Sequence, residues 1–330
     1  MKELRRARTK PLEIAHRRQH IVVLLAVVIA CAISGCATTI SQQPFQEFAE
    51  SLQKVRSGAD NSLGALYDQT RARYIDNTAR GGAALEAALL TTAQNDRFAW
   101  TTANPSVPPP LYVTEARFRD GVYRLNSSLV DYATALVQLA SPDLLSPETF
   151  NALATDLNNN LNKALPALGV QAPAQGVAIF SAAATTAFRL YLQNKQRSAL
   201  ADAISKNQAA IQGAADLGRT ATEITVRAVT SEYAERSGAL AGQIQRAAAS
   251  EADKRASAKN LIDLNDAFIK DLGILRALHQ SYVDLPAAHA DLAAAVTDPK
   301  VGIGAIRRLY EQGRELERLY EQLIKQNTSK

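Results

Sequence analysis

Apolar side chains recur at intervals of three and four in three separate stretches of this chain of 330 residues. Phe45, Phe48, Leu52, Val55, Ala59, Leu63 and Leu66 fall along one face of a helix, while Lys54, Arg56 and Asp60 fall elsewhere. Leu261, Leu264, Phe268, Leu272, Leu275, Leu278, Tyr282 and Leu285 repeat the pattern. Ile303, Ile306, Tyr310, Gly313, Leu316, Tyr320 and Leu323 repeat it again. Three amphipathic helices predict an all-α fold: an elongated antiparallel helical bundle, coiled-coil-like, with long helices and proline-marked loops.

Proline punctuates the pattern, because inside a helix it loses a hydrogen bond and clashes with the preceding turn. The twelve prolines leave free stretches at 45–104, 111–141, 148–165, 174–285 and 300–330, each rich in helix formers. Each stretch is expected to be helical, with the fourth holding at least two helices. Ser146-Pro147-Glu148 and Asp298-Pro299 each offer a capping side chain followed by Pro at the first helical position. Asn104 to Pro110 reads as a stiff extended loop, and Pro166 to Gly176 as a second exposed connection. Arg308-Leu309-Tyr310-Glu311-Gln312 recurs as Arg318-Leu319-Tyr320-Glu321-Gln322, but ten residues is not a whole number of turns, so the copies sit on different faces.

The amino-terminal segment changes the picture of where such a bundle lives. Residues 1–20 carry seven basic side chains and two acidic ones, and Ile21 to Ile33 then runs without a charge. Thirteen apolar or small residues are too few for a membrane span, which needs about 20, but suit the apolar region of a signal peptide. The run closes on Ile33-Ser34-Gly35-Cys36, which resembles the recognition box of bacterial lipoprotein signal peptides. That resemblance covers the first 36 residues and names a processing class rather than a fold. It implies that Cys36 takes a diacylglyceryl group, that the leader is cut before it, and that the freed amine is acylated. Ala37, where an Asp would favour inner-membrane retention, favours the periplasmic face of the outer membrane. The expected organisation is a cleaved leader (1–35), a lipidated tether (36–44) and one helical bundle domain (45–330).

Charge then removes one class of partner. The leader holds seven of 37 basic and two of 32 acidic residues, which leaves 30 of each after cleavage. A neutral chain with no polybasic run lacks the basic patch that nucleic-acid binding requires. The only cysteine besides Cys36 is Cys31, which departs with the leader, so no disulfide forms within the mature chain.

Few residues suggest chemistry. His279 and His289 lack a carboxylate three or four positions away, and no Gly-x-Ser-x-Gly or phosphate-cradling glycine loop occurs. No catalytic, metal or cofactor residue is therefore assigned, and paired carboxylates stay open because only geometry could pair them. Trp100, Tyr112 and Phe118, with Tyr67, Tyr74 and Tyr123, flank the proline loop and are candidates for a recognition surface; packing beneath that loop is the plainer account. Residues 164–188 carry no charge, and Val177, Ile179 and Phe180 within them are candidates for a membrane-inserting tip; a buried central helix is again plainer. The sequence thus predicts a lipid-anchored envelope protein that binds an envelope partner as a scaffold or inhibitor. A membrane-active helical protein using 176–188, or a hydrolase with unrecognised carboxylates, are the alternatives. The oligomeric state is not legible.

Overall fold

The computed structural model describes residues 40–79, 111–141, 164, 168, 196–246, 249–298 and 302–327. The leader and the proline loop lie outside the described residues, as do the expected helix at 148–165 apart from Ala164 and the connection at 166–176 apart from Leu168, which is buried rather than exposed. Five helices account for nearly all that is described: α1 (Gln43–Ala79), α2 (Leu111–Ala140), α3 (Gln196–Gln245), α4 (Glu251–Thr297) and α5 (Gly304–Asn327). The all-α bundle expected from the periodicity is the observed fold.

Each helix packs on the next, and α5 returns to α1, so the five close into a ring, with α1 also touching α4 across it. Paired residues fix the directions. Asp60 meets Arg119 and Tyr74 meets Tyr112, so α1 and α2 are antiparallel. Tyr233 meets Phe268 while Gln208 meets His289, so α3 and α4 are antiparallel as well. An odd number of alternating helices forces one parallel pair, and it is α1 with α5: Ser51 Oγ donates to the Ile306 carbonyl (3.2 Å) and Ser62 Oγ to that of Leu316 (2.9 Å). Small residues make this seam close. A methyl group on Gly313 would stand 2.7 Å from Lys54 Cβ, and one on Gly58 would stand 2.8 Å from Leu316 Cβ. At that separation a Cβ cannot be accommodated unless the helices part.

The seven apolar residues of the first pattern are all buried, none more than 3% exposed. Leu125, Leu129 and Leu136 of α2, Leu200, Ile204 and Ile211 of α3, Ile274 and Leu278 of α4, and Leu316 of α5 meet them in the core. Each such side chain contributes about 1.5–3 kcal/mol through removal from water. The two copies of the repeat do not part onto different faces as expected: Leu309 and Leu319 are both buried, since a ten-residue step keeps each leucine within the broad apolar face of α5.

Two boundaries depart from expectation. Pro286 does not end a helix: α4 runs through it from Glu251 to Thr297. The lost hydrogen bond and ring clash cost roughly 3 kcal/mol. Leu278, Tyr282 and Leu285 before it and Ala288, His289 and Leu292 after it are all buried, and their packing outweighs that cost. Asp298 does not start α5 either. It is the C-cap of α4, its N–H donating to the Ala294 carbonyl, and α5 begins at Gly304. The cap comes from the neighbouring helix α4 instead: Asp291 Oδ2 accepts from the backbone N–H of Ala305 (2.7 Å) and Ile306 (3.3 Å). A carboxylate there also matches the positive end of the helix. At the neighbouring end of α4, Arg197 of α3 donates to the carbonyls of Val296 and Thr297.

The break between α3 and α4 has neither Pro nor Gly, and comes from Ser250. Its backbone is extended (φ −65°, ψ 158°) and its Oγ accepts from the Asp253 N–H at 3.1 Å. Glu251 and Asp253 in the first turn add favourable charge. From residue 230 to the end of α3 no side chain is buried, and from the start of α4 to residue 263 only Ser257 is. Residues 230–263 therefore form a two-helix arm whose limbs pack on one another and on little else among the described residues. At 1.5 Å per residue the α3 limb (230–245) is about 24 Å long and the α4 limb (251–263) about 20 Å.

Candidate functional site

Two enclosed polar sites lie inside the bundle, one near each end. The first is built on His289, which is fully buried. Gln208 Oε1 lies 2.6 Å from its Nδ1 and the Tyr132 hydroxyl 2.8 Å from its Nε2. The Gln oxygen can only accept, so Nδ1 carries the proton and Nε2 accepts from Tyr132. Phe48 and Tyr132 stand beside the imidazole at centroid distances of 6.3 and 5.6 Å. Burial lowers its pKa to about 4, so the ring is neutral at pH 7. Both ring nitrogens are engaged, and the site is closed. Nearby, the Tyr282 hydroxyl donates to Asn126 Oδ1 at 3.1 Å.

The second site is a cleft at the base of the arm, where four helices meet. It is lined by Thr70 and Arg73 of α1, Leu111 and Glu115 of α2, Val229, Glu232, Tyr233 and Arg236 of α3, and Leu264, Phe268 and Asp271 of α4. The Tyr233 and Phe268 rings stack, 4.1 Å apart and 9° from parallel. The cleft is narrow, with room for about one water. Glu232 pairs with Arg236 at 3.3 Å, and Arg73 stands 3.8 Å from Asp271 Oδ2. Glu115 has no such partner. It is 3% exposed, and neither of its oxygens accepts a hydrogen bond of good geometry, the Thr70 hydroxyl being the one donor close enough to favour its charged form; Asp271, equally enclosed, leaves Oδ1 without a partner.

Burial pushes the Glu115 carboxyl well above its ordinary range, and the negative charges of Asp271 and Glu232 add to the shift while Thr70 and Arg73 oppose it. Burial raises Asp271 to about 6, with Arg73 and Lys270 pulling against it and Glu232 reinforcing it. Carboxyl groups raised in this way are poised to hold a proton or a cation. Among the described residues, no three His, Cys, Asp or Glu side chains are placed to hold a metal ion.

The residues singled out from the sequence fall as follows. Tyr112 opens α2, its ring 5.1 Å from that of Tyr74 and 6.4 Å from that of Tyr67, and burial raises its hydroxyl pKa. Phe118 is a core residue, whereas Tyr123 is exposed. His279 sits near the surface, 3.4 Å from Glu223. Ile33, Ser34, Gly35, Cys36, Trp100, Val177, Ile179 and Phe180 lie outside the described residues. No helix among the described residues is long and apolar enough to cross a membrane. Sequence reasoning missed the Glu115 and Asp271 cleft because its members come from four helices. A mild signal existed: Glu115 lies between Val113 and Phe118 on an otherwise apolar face of α2, and Asp271 follows Leu264 at a core spacing of seven. Compared with known proteins, the chain matches no family model, no curated protein and no solved structure.

Proposed function

We propose that this chain is a lipid-anchored envelope binding module that presents its α3–α4 arm to a protein partner. The observation that carries the reading is polarity of layout. The chain enters the bundle at Gln43, beside the His289 end, since Phe48 packs near His289. The arm leaves from the opposite end, where Arg73 near the close of α1 approaches Asp271. A lipid on Cys36 would be joined to Gln43 by a tether of about 25 Å at full extension. The arm therefore stands at the end of the bundle away from the start of α1, a layout suited to reaching a partner.

The outer face of α4 supplies contact chemistry. Ile262, Ile269 and Val283 are 61%, 59% and 40% exposed and share one face at heptad intervals. Such a face suits a helix or groove of a partner. The test is photocrosslinking in intact cells from positions 262 and 269, with Ile262→Lys, Ile269→Lys and Cys36→Ala variants alongside. One dominant partner, lost in the lysine variants and in the anchor variant, is the expected result. No partner from either position, with the protein still membrane-bound, would sink the reading.

A further inference from the structure

Glu115 poses a problem of charge. Three carboxylates and two guanidiniums line the cleft, and the contacts at 3.3 Å for Arg236 with Glu232 and 3.8 Å for Arg73 with Asp271 account for both cations. One negative charge remains, on a side chain 3% exposed. Three acceptor atoms also lack a well-formed hydrogen bond, Glu115 Oε1, Glu115 Oε2 and Asp271 Oδ1, with the Thr70 hydroxyl the one donor near Glu115. Buried acceptors are rarely left in this condition without a ligand, a water or a proton. A proton neutralises the charge but gives the cleft one donor for these acceptors.

A primary ammonium supplies one positive charge and three N–H donors. Its head is about the size of the single water the cleft admits. The remaining lining, Leu111, Val229, Leu264 and the stacked Tyr233 and Phe268, is apolar and aromatic, which suits an alkyl stem and the face of a cation. A guanidinium or quaternary ammonium is too large for that space. Calcium or magnesium would want six or more oxygens, which the cleft does not offer, and among the described residues no three His, Cys, Asp or Glu side chains stand together for a four-coordinate metal. We propose that the cleft between α1, α2, α3 and α4 is a binding site for a primary ammonium group, with Glu115 and Asp271 as its acceptors. The ammonium comes either from a small free alkylamine or from a lysine side chain of a polypeptide. The site stands apart from the partner reading of the arm, because its two acceptors, Glu115 and Asp271, lie in the bundle and not on the outer face of α4.

The experiment is calorimetric titration of the full chain at pH 7.5 and constant ionic strength with n-butylamine, tetramethylammonium and N-acetyl-lysine-methylamide. Saturable butylamine binding is expected, with no binding of tetramethylammonium, which has no N–H donors. Glu115→Gln is expected to weaken butylamine at least tenfold while circular dichroism stays unchanged, and Asp271→Asn, tested alongside it, to weaken it by a smaller factor. Should Glu115→Gln fail to fold, Asp271→Asn carries the same comparison. Binding of the lysine analogue within a few-fold of butylamine assigns the site to a polypeptide lysine; its exclusion assigns it to a free amine. No butylamine binding up to tens of millimolar, or equal binding by wild type and both variants, overturns the proposal.

Discussion

At the end where the chain enters, His289 is buried with both ring nitrogens engaged; at the other end Glu115 is as well enclosed and has neither oxygen engaged. Around His289 the bundle is packed with Phe48, Tyr282, Leu285 and Leu292, none more than 1% exposed. Beyond Glu115 the bundle gives way to an arm in which almost nothing is buried. The difference teaches where this fold has stability to spare. A satisfied polar site inside dense packing fixes the register of helices, whereas an unsatisfied one beside a thin arm costs stability and is held only because the rest of the bundle can sustain it.

Truncating an aromatic at each end should give the largest contrast. Phe48→Ala is expected to cost about 3–5 kcal/mol, while Phe268→Ala, half-buried on the arm side, should cost about 1 kcal/mol. Urea unfolding of both variants checks this, and similar losses would erase the distinction between the ends.

Removing the polar groups should then give opposite signs. At pH 7, His289→Ala removes the hydrogen bonds to Tyr132 and Gln208, leaves a cavity and should cost about 2–4 kcal/mol. Glu115→Gln instead replaces a buried carboxyl whose charged form burial disfavours and should stabilise by about 1–2 kcal/mol. Acid sharpens the same contrast. Asp271 is raised to about 6 from 3.8, so its contribution to stability is whole below pH 3.8 and is lost as pH rises through 6. Glu115, also raised, acts in the same direction. His289 is depressed to about 4 from 6.5, so its contribution is whole above pH 6.5 and is lost as pH falls through 4. In the wild type these offset one another as the solution is acidified from pH 7. In a Glu115→Gln, Asp271→Asn double variant the histidine loss stands alone, on the order of 3 kcal/mol. A double variant with the wild-type pH profile would contradict the assignment.

The smallest effect belongs to the arm itself. A Cβ on Gly238 or Gly242 meets nothing within 4 Å, so neither glycine serves a close approach. Replacing each with Ala should strengthen the limb by about 0.5–1 kcal/mol and slow amide exchange in the arm while leaving that of α1 unchanged.

The first helix was legible residue by residue, because Phe45 to Leu66 obey a local period and the core simply accepts that face. Boundaries were less so, because they depend on partners the local sequence does not name. Asp291 caps α5 from the preceding helix, and Pro286 is overridden by packing on both sides. The glycine at 313 sat in the predicted apolar stripe, but only the approach of Lys54 and Val55 explains why it is a glycine. His289 gave no sequence sign of its role, since Tyr132 and Gln208 reach it from other helices. The same holds for the cleft, where four helices each contribute at least two of the lining residues.

The parallel pairing of α1 and α5 has a mechanical meaning. The chain enters at the start of α1 and leaves at the end of α5, so the two exits face opposite ends of the bundle. Tension applied between them would load the Gly58 and Gly313 seam in shear, along the helix axes, rather than peel it open one contact at a time. A seam loaded in shear must yield many contacts at once, and forced unfolding follows that barrier rather than the equilibrium stability. A bundle pulled at the two ends of this pair would therefore resist along its strongest direction.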